Sequence, residues 1–99
     1  MITKSIQTIL KSIINKYGDF VQIDICIEEC SELIKALLKM RRNEDISRVP
    51  VLKKDIIEEI ADVNIMIEQL KIIYDCEKEV DDEITRKLIR QIERIKSGE

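Results

Sequence analysis

The feature that most constrains the fold of this chain is the spacing of its isoleucines and leucines, which recur every three to four residues. That spacing matches the 3.6-residue period of an amphipathic α-helix. Isoleucine favours β-sheets, but no segment alternates with period two, and the segments are too long for strands. The sequence therefore predicts an all-α fold. In the first segment, residues 2–16, the apolar face consists of Ile2, Ile6, Ile9, Leu10, Ile13 and Ile14.

Local signals divide the chain into four predicted helices. Gly18 suits the left-handed position after a first helix, and Asp19 is the predicted N-cap of the second. Pro50, the only proline, fits the first turn of a third helix. The predicted helices are residues 2–16, 19 to about 42, 50 to about 74 and, after Asp75-Cys76, a fourth that ends near Lys96, with an apolar stripe of Ile84, Leu88, Ile92 and Ile95.

The size and charge of the chain limit what kind of protein it is. Its 99 residues predict a single domain over 1–99. A charged fraction of 37%, with no apolar run long enough to span a bilayer, predicts a soluble, cytoplasmic protein with no membrane partner. The net charge of −3 argues against a nucleic-acid partner, because phosphate binders carry a basic face. Three cysteines without a CxxC pair indicate reduced thiols rather than a zinc site.

The third predicted helix is apolar over most of its circumference. Ile65 and Ile72 lie well round the helix from Val63, Ile67 and Leu70. Three short neighbouring helices leave part of such a surface uncovered. We therefore expect the helices to pack into a bundle that is completed by a second copy of the chain, as a homo-oligomer.

Two acidic stretches interrupt the apolar segments, at residues 28–32 and 58–62. On a helix, Glu29 falls inside the apolar stripe, and Glu32 lies about 60° to one side of it. Glu59 and Asp62 repeat this arrangement on the third helix. Ionised groups at such positions are costly unless something pairs with them. A hard cation between the two pairs would remove that cost, so Glu29, Glu32, Glu59 and Asp62 are candidate metal ligands.

Two alternatives compete with a metal site. Acidic clusters on helices are usually solvated faces, but solvated faces avoid the centre of an apolar stripe. Ion pairs with nearby lysines are the other alternative, although these lysines fall mainly on other helix faces; they are Lys35, Lys39, Lys53 and Lys54. Two matched intrusions of acids favour the metal site.

The donor set selects the metal. Four carboxylates without a histidine favour Mg²⁺, with Mn²⁺ as the alternative. A di-iron bundle also places acids on facing helices but needs Glu-x-x-His pairs, and the chain has no histidine. Since Mg²⁺ keeps coordination positions for phosphate oxygens, the predicted substrate is a phosphate ester or anhydride.

A basic group on the fourth helix is a candidate phosphate-binding surface. Lys87, Gln91 and Arg94 lie within about 40° of one another beside the apolar stripe, with Arg90 close by. For these residues alone, a solvated basic face near a helix C-terminus is the better interpretation. Further phosphate-binding candidates, of lower rank, lie at the end of the second predicted helix; they are Lys39, Arg41 and Arg42.

The ordered motifs resemble those of the MazG-like, all-α nucleoside triphosphate pyrophosphohydrolases. They are Glu28-Glu29-x-x-Glu32, Glu59-x-x-Asp62 and Lys87-x3-Gln91-x2-Arg94, preceded by Tyr17-Gly18-x3-Gln22. The resemblance extends from about residue 17 to 94. It implies a four-helix fold and hydrolysis of a (deoxy)nucleoside triphosphate to the monophosphate and pyrophosphate. It also implies Mg²⁺ held by Glu29, Glu32, Glu59 and Asp62, and dimers or tetramers with sites near subunit interfaces; we favour the tetramer.

Within that reaction, Glu28 or Glu32 would accept the proton of the attacking water, and the choice between them stays open. Lys87, Gln91 and Arg94 would bind substrate, with Lys87 and Arg94 on the leaving pyrophosphate. Val63-Asn64-Ile65-Met66 follows Asp62 where phosphoribosyl-ATP pyrophosphatases carry an aromatic-His pair, which disfavours that branch. Few aromatic residues are available, so the base preference is open, with Tyr17, Phe20 and Asn64 as guesses.

Two functions without turnover remain as alternatives. The first is a non-catalytic helical interaction or regulatory module that docks through the third helix. The second is a dimeric bundle that binds metal without hydrolysing a substrate.

Overall fold

The computed structural model describes residues 3–98, which form four α-helices and no strand. This confirms the predicted all-α class. None of the four helices is long and apolar enough to cross a membrane. The helices are α1 (Lys4–Tyr17), α2 (Asp19–Arg42), α3 (Val49–Ile73) and α4 (Glu77–Ser97).

The helix ends follow from a few local residues. The Thr3 side chain accepts a hydrogen bond from the Ile6 N–H at 3.2 Å and so caps α1. Gly18 has φ 94° and ψ 154°, a conformation that only glycine adopts without strain. The prediction that Asp19 is the N-cap of α2 is wrong, because Gly18 takes that position and Asp19 is the first helical residue. Pro50 lies in the first turn of α3, as predicted.

The segment between α2 and α3, which lies between the second and third predicted helices, contains a single 3₁₀ turn, Ile46–Arg48. The Asp45 carboxylate accepts hydrogen bonds from the Ser47 N–H at 3.0 Å and from its hydroxyl at 2.6 Å. These bonds hold the pKa of Asp45 below its ordinary value. The chain therefore enters α3 through an ordered turn.

α2 and α3 form an antiparallel pair that contains most of the core. Gln22, near the start of α2, donates a hydrogen bond to Gln69 near the end of α3, at 2.7 Å. Ala36, toward the end of α2, lines the same small cavity as Leu52 at the start of α3. The buried apolar side chains of this pair are Cys26, Ala36, Leu52, Val63 and Met66.

α1 packs across α2 and α3 and buries Leu10 and Ile14. Between α1 and the end of α3 lies a cavity of about 200 Å³, which Leu10 and Ile72 line together. We expected a second copy to cover Ile72, but α1 of the same chain lies against it. Ile65, on the same predicted face, remains 47% exposed.

α4 extends away from the other helices. Every residue from Asp81 to Glu93 is exposed, and within residues 3–98 the only helix that α4 contacts is α3. Its apolar stripe therefore lies in solvent, with each member about half exposed or more; the members are Ile84, Leu88, Ile92 and Ile95. The single chain does not close a four-helix bundle.

Candidate metal site between α2 and α3

The antiparallel pairing brings three acidic side chains from the two helices together. Glu29 comes from the middle of α2, and Glu59 and Asp62 come from successive turns of α3. One carboxylate oxygen of each lies within 4.8 Å of the others. Glu29 and Glu59 are partly buried and Asp62 is exposed. We call these three residues the acid cluster.

Burial and mutual repulsion make the charged forms of Glu29 and Glu59 unfavourable. For Glu29, burial raises the pKa first, followed by the negative charges of Asp62 and Glu59. For Glu59, burial again raises the pKa first, followed by the charges of Asp62 and Glu32. Oε2 of Glu59 is buried and has no hydrogen-bond partner among the residues that the structure describes. A proton or a cation would stabilise that oxygen.

The fourth predicted ligand, Glu32, lies at the edge of the acid cluster. Its carboxylate accepts a hydrogen bond from the Lys35 ammonium at 3.3 Å; the Lys35 side chain is largely exposed and that of Glu32 is partly exposed. Its charge still reaches Glu59, whose pKa it raises. The other candidate base, Glu28, is exposed on the solvent side of α2.

A cavity of about 110 Å³ adjoins the acid cluster on the side of Glu59. Its walls include two cations, Lys35 and Lys39, which stand one turn apart on α2. It also includes Asp55, one turn before Glu59 on α3. From the sequence, Lys39 is a phosphate-binding candidate of lower rank and Lys35 is only a possible ion-pair partner. The sequence pattern predicts no role for Asp55. The signal that could have identified them is helical spacing, because Lys35 follows Glu32 by three residues, Lys39 follows Lys35 by four and Asp55 precedes Glu59 by four.

The predicted substrate-binding residues lie elsewhere in the chain. Lys87 and Gln91 are exposed and Arg94 is partly exposed, all on α4. In the part of the chain that the structure describes, α4 does not contact α2. A single chain therefore does not bring these three residues to the acid cluster.

The chemistry of the acid cluster fits a hard cation. Adjacent oxygens around Mg²⁺ are about 3.0 Å apart, so side-chain rotations would have to draw together three carboxylates whose oxygens lie within 4.8 Å of one another. Oε2 of Glu59 has no hydrogen-bond partner within residues 3–98, and its lone pair would be available to coordinate such an ion. The neighbouring thiol of Cys26 is a poor ligand, because burial and then Cys30 raise its pKa.

Comparison of the chain with protein-family models, with curated proteins and with solved structures found no match. The family resemblance therefore stays a prediction that depends on the motif residues alone.

Proposed function

We propose that this protein is a cytoplasmic, MazG-like enzyme that hydrolyses a (deoxy)nucleoside triphosphate to the monophosphate and pyrophosphate. The observation that carries the proposal is the acid cluster, with its two partly buried carboxylates and the buried, partnerless Oε2 of Glu59. Carboxylates in that arrangement are stabilised by a divalent cation. Mg²⁺ is the proposed ion, with Mn²⁺ as the alternative.

The roles of the residues follow from their positions. The acid cluster and Glu32 hold the ion, which when bound supplies Lewis-acid chemistry toward phosphate oxygens. Glu28 or Glu32 accepts the proton of the attacking water. Glu28 is exposed, whereas Glu32 is paired with Lys35, so Glu28 is the less engaged of the two. Lys35 and Lys39 place positive charge beside Glu59, where phosphate oxygens would lie.

A homo-oligomer, with a tetramer favoured over a dimer, is the second part of the proposal. The chain exposes 8024 Å², whereas a compact monomer of this mass exposes about 5,800 Å². The excess of about 2,200 Å² is what a subunit buries in a large permanent interface. Docking of α4 on a second copy would cover its apolar stripe, and it would supply Lys87, Gln91 and Arg94 to a site that lacks them within one chain.

The test is incubation of the purified protein with each nucleoside and deoxynucleoside triphosphate, with Mg²⁺ or with a chelator, followed by identification of the products. We expect monophosphate and pyrophosphate only when metal is present. Glu59→Gln should lower the rate at least about a hundredfold, because the ion loses its buried ligand. Glu58→Gln is the matched control, since it removes one exposed charge beside Glu59 and should keep most of the activity.

Consumption of no triphosphate, or full activity of Glu59→Gln, would overturn the enzyme proposal. The exposed apolar faces of α3 and α4 would then favour the alternative, a non-catalytic interaction or regulatory module. A melting temperature that Mg²⁺ leaves unchanged would support that module. A rise with metal but without turnover would indicate a metal-binding bundle.

A further inference from the structure

The α2–α3 interface contains one buried pair of polar side chains, Gln22 and Gln69. Their exposed fractions are 3% and 2%, lower than that of any apolar core residue. The Gln22 amide donates a hydrogen bond to Oε1 of Gln69 at 2.7 Å. Oε1 of Gln22 is buried as well and has no donor within residues 3–98.

This pair is a poor source of stability. A neutral hydrogen bond contributes about 1 kcal/mol net, whereas a buried acceptor without a donor costs about 1–3 kcal/mol. Replacing both partners of such a bond by apolar groups of similar shape is close to neutral or stabilising. A buried polar pair of this kind is instead suited to selecting one packing arrangement over others.

The alternatives that the pair disfavours are slipped registers of α2 along α3. Beside the larger Leu52 and Met66, the buried apolar side chains of the interface are Cys26, Ala36 and Val63, which are small and discriminate weakly between registers. A slip by one turn would place Gln69 opposite Cys26 or Gly18. Gly18 has no side chain, and the Cys26 thiol cannot replace the Gln22 amide. Both amides would therefore lose their partner at a cost of several kcal/mol.

We propose that the Gln22–Gln69 hydrogen bond positions the acid cluster by holding α2 and α3 in register. One helical turn displaces a residue by about 5.4 Å along the axis, which exceeds the 4.8 Å within which the three carboxylate oxygens meet. A slipped register therefore separates Glu29 from Glu59 and Asp62. Both glutamines are positioning residues, and their role in metal binding rests on the proposed function.

The test compares three variants with the wild-type protein. Gln22→Leu/Gln69→Leu removes both amides, and Gln69→Leu alone leaves Gln22 buried without a partner. Met66→Leu is the matched control, an apolar replacement of similar volume in the same interface. The register is measured as the nuclear Overhauser effect between the methyl groups of Ala36 and Leu52, which line one cavity. Mn²⁺ affinity and melting temperature are measured on the same samples.

We expect the single variant to melt below the wild type and the double variant to melt at or above it. In the double variant the Ala36–Leu52 signal should be lost or split among several pairs, and the Mn²⁺ dissociation constant should rise at least about tenfold. The Met66→Leu variant should keep the Ala36–Leu52 signal and the wild-type Mn²⁺ affinity. If the single variant does not fold, the double variant carries the test.

A double variant that keeps the Ala36–Leu52 signal would overturn the register proposal, whatever its metal affinity. Failure of the proposed function would look different, because the wild type itself would then bind no Mn²⁺ while the methyl signal still reported the register.

Discussion

At the residue scale, Glu59 carries an electrostatic penalty in the folded chain. The negative charges of Asp62 and Glu32 act on its carboxylate, and one of its oxygens is buried with no hydrogen-bond donor within residues 3–98. Burial and these charges raise its pKa, so the folded chain holds the proton more tightly than the unfolded chain does. The penalty is absent at acid pH, where the group is protonated in both states. It grows as the pH rises through the unfolded and then the folded pKa.

We therefore predict that Glu59→Gln stabilises the metal-free protein. In the presence of a chelator its melting temperature should exceed that of the wild type by a few degrees at neutral pH. The difference should vanish near pH 4, below the ordinary pKa of glutamate. Thermal melts followed by circular dichroism between about pH 4 and 8 measure both.

Glu58→Gln is the control for this prediction, because Glu58 is exposed and should change the melting temperature much less. A Glu59→Gln variant that melts at or below the wild type at neutral pH would contradict the electrostatic interpretation. It would leave the acid cluster as an ordinary solvated group of carboxylates.

At the scale of the elements, α4 differs from the other helices because its apolar stripe has no partner within residues 3–98. A helix of 21 residues gains most of its stability from packing of its apolar face, and isolated helices are marginal in water. The turn before α4 has a defined geometry: Asp75 has φ 50°, and the Cys76 N–H bonds to the Lys71 carbonyl at 3.0 Å. The turn therefore fixes the start of α4, while the apolar stripe of α4 remains exposed.

We predict that Leu88→Lys reduces the proposed oligomer to a monomer and weakens the helicity of α4. Leu88 is 58% exposed within one chain, so we expect the substitution to disturb the single chain little and to act mainly on the proposed interface. Light scattering coupled to size-exclusion chromatography measures the mass, and circular dichroism measures the helicity. Glu93→Lys is the control, because it changes the charge by more than Leu88→Lys does but lies on the opposite side of α4 from the apolar stripe. It should leave the mass unchanged. A Leu88→Lys variant with the wild-type mass would exclude the stripe from the interface.

At the scale of the whole molecule, a single chain is too open for its size. Its radius of gyration is 17.0 Å, against about 13 Å for a compact domain of 100 residues. Within residues 3–98 the buried apolar core consists of seven side chains, most of them between α2 and α3. Small domains with so little core usually depend on association for stability.

We predict that the melting temperature rises with protein concentration, because assembly adds a binding free energy to that of folding. A series of melts over a hundredfold range of concentration tests this. The Leu88→Lys variant is the control, since a monomer should melt at a temperature that does not depend on concentration. A wild type of 11.6 kDa with a constant melting temperature would refute the oligomer.

The sequence alone determined the features that depend on local spacing. Helical period, Gly18 and Pro50 are read within a few residues of each other, so the four helices and most of their ends could be predicted. The same period placed Glu29 and Glu59 on apolar faces and separated them from the exposed Glu28 and Glu58. Local rules are also ambiguous by one residue, and for this reason the predicted N-cap of α2 was Asp19 whereas the structure has Gly18 at that position.

Only the tertiary structure decided which of these residues meet. It joined Gln22 to Gln69, paired Glu32 with Lys35 at the edge of the acid cluster, and left α4 unpacked. Such pairings depend on the summed packing, burial and charge of residues far apart in the chain, and a periodic pattern records only the face on which each residue lies. The sequence therefore defined two acidic helix faces, whereas the register of α2 against α3 decided that Glu29, Glu59 and Asp62 converge.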